Sequence, residues 1–217
     1  MSAQFTVPTL DCTGVTAPNG AWAAHWVGLD GFRANSATVE QTGVVEVCNG
    51  ATAQYAAFWE MFPLAPGQPS ITVNPGDTIK VSVNYSRSTR KFSLTFSDTT
   101  SGQSFTRTRA CPAGATCRRN SAEAISEAPF DGATSTILPL ADFTSASFTN
   151  VAITNTSGTH SGGLQSSFWN TYRFTQVSDG TNTTVAGTPI PLGTVLDSPT
   201  SLVLKRSFID HWQAANG

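Results

Sequence analysis

Gln41 and the carboxylates Asp30, Glu60, Glu123 and Glu127 are the side chains of this sequence whose types and spacing could do chemistry together. Each falls in a short stretch of alternating apolar and polar residues, the pattern of a β-strand, in which every second side chain shares a face. By that period Trp26, Gly28 and Asp30 lie on one side of their strand, with Val27 and Leu29 on the other. Phe58, Glu60 and Phe62 lie opposite Trp59 and Met61, and Glu123, Ile125 and Glu127 lie opposite Ala122, Ala124 and Ser126. Gln41 shares a face with Val39 and Gly43, where alternation would normally place another apolar residue. A carboxylate among bulky apolar groups is costly to ionise unless it is paired or used. A solvated outer face accounts for any one of these residues alone; their coincidence on several strands marks a candidate site.

Eleven stretches read as strands: "AHWVGLDG", "TVEQTGVVEV", "AAFWEMFP", "SITV", "TIKVSVNY", "KFSLTFSD", "SFTRTRA", "SAEAISEAP", "ASFTNVAIT", "TYRFTQV" and "SLVLKRSF". "NPGD", "SDTTSGQ" and "SDGTN" are turns between them. With no convincing helix, the pattern predicts an all-β fold, an antiparallel two-sheet sandwich of the jelly-roll or concanavalin type. The tail "SFIDHWQAANG" is expected to be a frayed or docked terminus, and the Ser/Thr/Gly-rich stretch 154–167 a long loop or surface hairpin. Composition does not shift sharply along the 217 residues, so residues 1–217 are expected to form one domain.

Charged residues make up 12% of the chain and the formal net charge is −2, about half the usual charged share. This speaks against nucleic-acid or anionic-membrane partners, and a monomer is expected. A surface with few ion pairs loses little when carboxylates protonate, which suits an acidic medium. The four cysteines suggest an oxidising compartment. "CPAGATC" closes a short loop, which favours Cys111 with Cys117 and leaves Cys12 for Cys48. The cysteine spacings match no zinc pattern, and His25, His160 and His211 are not clustered with them. Asn84, Asn155 and Asn182 begin sequons that matter only in a eukaryotic secretory route. "MSAQFTVPTL" lacks the regions of a signal peptide, and no apolar run is long enough to span a membrane.

"HWVGLDG", "EQTG", "YAAFWEMFP" and "AEAISEAP", in that order, resemble the glutamic peptidases, the eqolisins of peptidase family G1. The likeness spans roughly residues 4 to 150. It implies a two-sheet sandwich, peptide-bond hydrolysis without metal or cofactor, polypeptide substrates and a secreted enzyme whose signal and propeptide are absent from this chain. It places the catalytic pair on Gln41 and Glu127, with Glu123 as the alternative glutamate. Asp30 would tune or orient the pair, and Trp26, Asp30, Phe58, Glu60 and Phe62 would line the cleft. Glu127 would act as general base on water, and Gln41 would donate to the oxyanion, a role its amide keeps in acid. A glutamate near its reference pKa of about 4.3 would remain substantially ionised in mild acid.

The chain departs from the family pattern at several places. Ala56 and Val45 stand where aspartates are usual, and Ala124 and Met61 where tryptophans are. A further N-terminal strand common in the family is missing before "QFTVPTL", as expected of a processed or truncated form. A carbohydrate-binding or glycoside-hydrolysing jelly roll also explains acids and aromatics on a concave sheet, but gives Gln41 no task. A structural or adhesive sandwich is the third reading. No D-[ST]-G or G-x-S-x-G motif occurs.

Overall fold

The computed structural model describes residues 1–33, 35–164, 166–170 and 208–211. It contains β1 (Ser2–Thr6), β2 (Ala21–Asp30), β3 (Val39–Asn49), β4 (Thr52–Phe62), β5 (Thr78–Ser86), β6 (Lys91–Asp98) and β7 (Ser104–Ala110). These are followed by β8 (Ala122–Glu127), β9 (Phe130–Asp131), β10 (Thr136–Ile137), β11 (Ser145–Thr154), β12 (Ser161–Gly162) and β13 (Phe208–His211). There is no helix among the described residues. One sheet runs β12-β11-β1-β5-β6-β7, with β13 also paired to β11; the other runs β4-β3-β2-β8, and β9 and β10 form a small hairpin. The registered pairs are antiparallel, and the expected β-sandwich is the architecture found.

The alternating pattern decides which faces meet. In β6 the residues Phe92, Leu94 and Phe96 are buried while their neighbours face outward, and they register with Tyr85, Val83 and Val81 of β5. These side chains pack with Phe5 and Phe148 of the larger sheet and with Val27, Val44, Ala57 and Met61 of the smaller one. Each fully buried Phe or Leu stabilises the fold by about 1.5–3 kcal/mol relative to exposure. The disulfides are Cys12–Cys48 and Cys111–Cys117, as the loop spacing suggested.

Three strand readings need correction or completion. "SITV" forms no strand: Ile71 N–H bonds to Pro69 O, and Val73 packs into the core without joining a ladder. β1 lies centrally between β11 and β5 but was not recognised, because only Ala3 and Phe5 in its five residues signal a buried face. The tail contributes β13, so it is docked by strand pairing along 208–211. Within the stretch expected to be a loop or surface hairpin, β12 pairs back onto the end of β11, Ser161 with Thr154 and Gly162 with Ile153. "TYRFTQV", the "SDGTN" turn and most of "SLVLKRSF" lie outside the described residues.

Candidate active site

The four-stranded sheet lines up the candidate residues in rows across its outward face. Gln41 pairs with Glu60 on β4 and with Gly28 on β2, and Gly28 pairs with Glu123 on β8. The next row along holds Phe58, Gly43, Trp26 and Ile125, and the next Ala56, Val45, Ala24 and Glu127. Ala24, Trp26 and Phe58 form a buried apolar cluster flanked by Val39, Val45 and Ile125, separate from the main core. Phe62 stands at the rim, 40% exposed. Glycine is required in two of these rows by space alone. A Cβ on Gly28 would lie 2.8 Å from Trp26 Cζ3, and one on Gly43 would lie 2.1 Å from His25 O. The glycines of the W-V-G-L-D-G and Q-T-G stretches therefore let the Trp26 indole lie over the sheet and let β2 and β3 close up.

Two hydrogen bonds orient the polar groups. Gln41 Nε2 donates to Glu60 Oε2 at 2.5 Å, and Trp26 Nε1 donates to Glu127 Oε1 at 2.9 Å. Gln41 Oε1 is buried and has no hydrogen-bond partner among the described residues. Burial pushes Glu127 up to about 7; the Trp26 bond opposes this, and the charges of Glu123 and Glu60 add to it. The last two contributions couple Glu127 electrostatically to Glu60 and Glu123, although it lies two rows along from them. By register Glu127 shares its row with Ala24, Val45 and Ala56. Two of those residues are the departures from the aspartates usual in the family pattern.

By register, Glu123 is level with Gln41 and Glu127 lies four residues further along β8. The two carboxyls are differently engaged. Glu123 Oε1 accepts from Ser121 Oγ at 2.9 Å, and a backbone bond from Phe32 also opposes the burial that pushes it up to about 7. Its carboxyl lies beside Gly31, at the end of β2. Glu127 is held on the apolar cluster by Trp26. Glu60 is raised by burial, opposed by its bond from Gln41.

Asp30 is placed otherwise than expected. Its φ of 66° departs from extended strand geometry. The side chain is 0% exposed, and its carboxylate accepts from Arg119 N at 2.8 Å and Asn120 N at 3.0 Å. Asp30 therefore does not line the cleft, although its charge reaches Glu123 and Glu40. Also unrecognised in the sequence were Glu40 and Glu46, which alternate with Gln41 on β3 and are fully buried on its interior face. The period of two assigns them to that face, but an apolar-inside pattern gives no signal for a buried acid.

The sequence model of the Peptidase A4 family matches residues 1–189. The chain belongs to the Peptidase A4 family. The chain is thereby a glutamic endopeptidase, which sets aside the carbohydrate and structural readings. Among solved structures, scytalido-glutamic peptidase with a transition state analog inhibitor superposes with a TM-score of 0.74 at 22% identity, covering 98% of this chain and 91% of that one. Aspergilloglutamic peptidase from Aspergillus niger gives 0.67 at 27% identity, covering 89% and 99%. SCP-B, an eqolisin in complex with the tripeptide Ala-Ile-His, gives 0.69 at 22% identity, covering 98% and 90%. No curated protein sequence matches this peptidase.

Proposed function

We propose that this peptidase cleaves polypeptides with Glu127 as general base and Gln41 as oxyanion donor. The observation that carries the assignment is the pair of orienting bonds, Glu60 on the Gln41 amide and Trp26 on the Glu127 carboxyl, at one apolar cleft. Glu127 as carboxylate takes a proton from the attacking water and returns it to the leaving amine, a role worth roughly 10²–10⁴-fold in rate. The Gln41 amide has two donors, of which Glu60 engages one; the other serves the developing oxyanion, worth roughly 2.7–4 kcal/mol. Gln41 Oε1 is then an acceptor for the water itself. Glu123 is the weaker candidate for the base because Ser121 and Phe32 already engage it.

The pKa of Glu127, about 7, changes the expected pH behaviour. At pH 5 only about one such carboxyl in a hundred is ionised. Turnover in acid therefore rests on a small fraction of a stronger base, and kcat/KM rises toward neutrality. Trp26, Phe58, Glu60 and Phe62 border the substrate. Polypeptide substrates, secretion and action as a monomer without metal or cofactor complete the reading, supported by the two disulfides and the sparse charge.

The test is digestion of a denatured protein between about pH 3 and 7 in the presence of pepstatin and a chelator. Peptides should form under both additions. Complete inhibition by either would sink the proposed chemistry.

A further inference from the structure

The three strands that carry Gln41, Trp26 and Glu127 on the cleft face are joined on their opposite face by a buried polar chain that the proposed chemistry does not use. His25 Nδ1 and Ser126 Oγ are hydrogen-bonded at 2.8 Å, and His25 Nε2 is 3.7 Å from Glu46 Oε2, within ion-pair reach but without a hydrogen bond between them. His25 and Glu46 are fully buried and Ser126 is nearly so. His25 and Ser126 are direct register partners between β2 and β8, while Glu46 of β3 pairs with Ala23, two residues from His25. Glu46, His25 and Ser126 therefore cross β3, β2 and β8 in order. His25 immediately precedes Trp26, and Ser126 immediately precedes Glu127.

The surroundings are otherwise apolar. The rings of Phe5 and Phe143 stand 6.1 and 4.9 Å from the imidazole, centroid to centroid. Among the described residues Tyr55 also feels Glu46: burial raises its pKa, the bond its hydroxyl accepts from Leu10 N opposes this, and the charge of Glu46 adds to it. A buried polar chain of this kind is a poor source of net stability compared with apolar packing. What it supplies is fixed geometry between the groups it joins.

We propose that His25, Ser126 and Glu46 are positioning residues for the peptidase reaction. From the interior face they fix β8 against β2 and β3, and so hold the Glu127 carboxyl on the Trp26 indole and toward Gln41. Adjacent strand residues point to opposite faces, so any rotation or slip of β8 that parts Ser126 from His25 also moves Glu127 relative to Trp26 Nε1. The proposal rests on Glu127 being the base.

Three variants test it. Ser126→Ala removes the link at little cost in volume, Ser126→Thr keeps the hydroxyl, and His25→Phe/Glu46→Leu/Ser126→Ala replaces the chain by apolar groups so that no buried charge is left unpaired. One readout is kcat and KM on a peptide substrate. The other needs no turnover: the indole N–H resonance of Trp26, one of five tryptophans, is assigned by its loss in Trp26→Phe and followed against pH.

In Ser126→Ala and the triple variant kcat should fall by about 10²-fold with KM nearly unchanged, as for a misplaced catalytic group. Ser126→Thr should restore most of it. The midpoint of the indole titration should move down by about one pH unit as Glu127 becomes hydrated. A folded triple variant with parent kcat and an unshifted indole titration would show that the chain only packs the interior. Ser126→Ala alone decides the matter if the triple variant does not fold. Full turnover in Glu127→Gln overturns the base assignment separately, because the indole titration measures the positioning of Glu127 without it.

Discussion

Trp26 and Glu127 are joined between adjacent strands by a single 2.9 Å hydrogen bond from the indole N–H to the carboxylate. The donor favours the charged form and so works against the burial that raises the carboxyl. Trp26→Phe keeps an aromatic ring on the cluster and removes the donor. The pKa of Glu127 should then rise above its present value of about 7, moving the acid limb of the kcat/KM profile to higher pH. A bond to a charged group is worth about 1.5–3 kcal/mol, so activity at neutral pH should fall by roughly ten-fold or more. An acid limb that moves to lower pH in Trp26→Phe would contradict this account of the site.

The register pair Ala24 and Glu127 offers the converse change. Directly opposed residues of an antiparallel pair have Cβ atoms about 4.5–5.5 Å apart, so the hydroxyl of Ala24→Ser comes within reach of the Glu127 carboxyl. A new donor to the carboxylate should lower its pKa and carry the acid limb of kcat/KM to lower pH. Measuring the profile beside that of Trp26→Phe should give opposite displacements from the parent; a common direction for both would show that hydrogen bonds to the carboxylate do not set its pKa in this way.

The shared sheet face was readable in the sequence because a period of two is a property of one strand. It placed Gln41, Trp26, Phe58 and Glu60 on one face, and the sheet register then brought them together. What escaped depends on more than one strand or breaks the period. Asp30 leaves the face through its positive φ. The raised pKa of Glu127 comes mainly from burial, which depends on neighbours from other elements that the period of β8 alone does not show. Glu40 and Glu46 sit on interior positions that pattern reading reserves for apolar residues.

The carboxyls raised by burial predict an unusual pH dependence of stability. Glu40, Glu123 and Glu127 have folded values of about 8, 7 and 7 against 4.5 for the free side chain, in each case mainly through burial, and for Glu40 next through the charge of Asp30. Between those values the folded state holds more protons than the unfolded one. Stability is therefore fully supported below about pH 4.5 and declines as pH rises toward 8. Asp98 acts in the other sense: burial opposes it, but hydrogen bonds from Ser101 and Thr100 lower its pKa, so its contribution is lost only as pH falls below the ordinary aspartate range. The melting temperature should be higher near pH 4.5 than near pH 8.5. Glu40→Gln keeps the shape and removes one titrating group, so it should flatten that slope; an unchanged slope would take Glu40 out of the explanation.

The last prediction separates the glutamates and the amide by role. Glu127→Gln keeps the shape but removes the base, so turnover should vanish at every pH. Glu123→Gln should retain measurable turnover, because its carboxyl is engaged by Ser121 and Phe32. Gln41→Ala should lose at least about 10²-fold in kcat if the amide is the main oxyanion donor. Gln41→Glu is the most informative. When ionised, the new carboxylate cannot donate, and it places a like charge beside Glu60, which already accepts from this position. Once protonated it can donate again, so a trace of activity should return only in acid, on the opposite side of the profile from the parent. Circular dichroism on each variant establishes that it is folded before kcat is compared. A folded Gln41→Ala with near-parent turnover would reduce Gln41 to a polar residue on a wet sheet face, and activity in Glu127→Gln but not in Glu123→Gln would transfer the base to the row that Gln41 shares with Gly28.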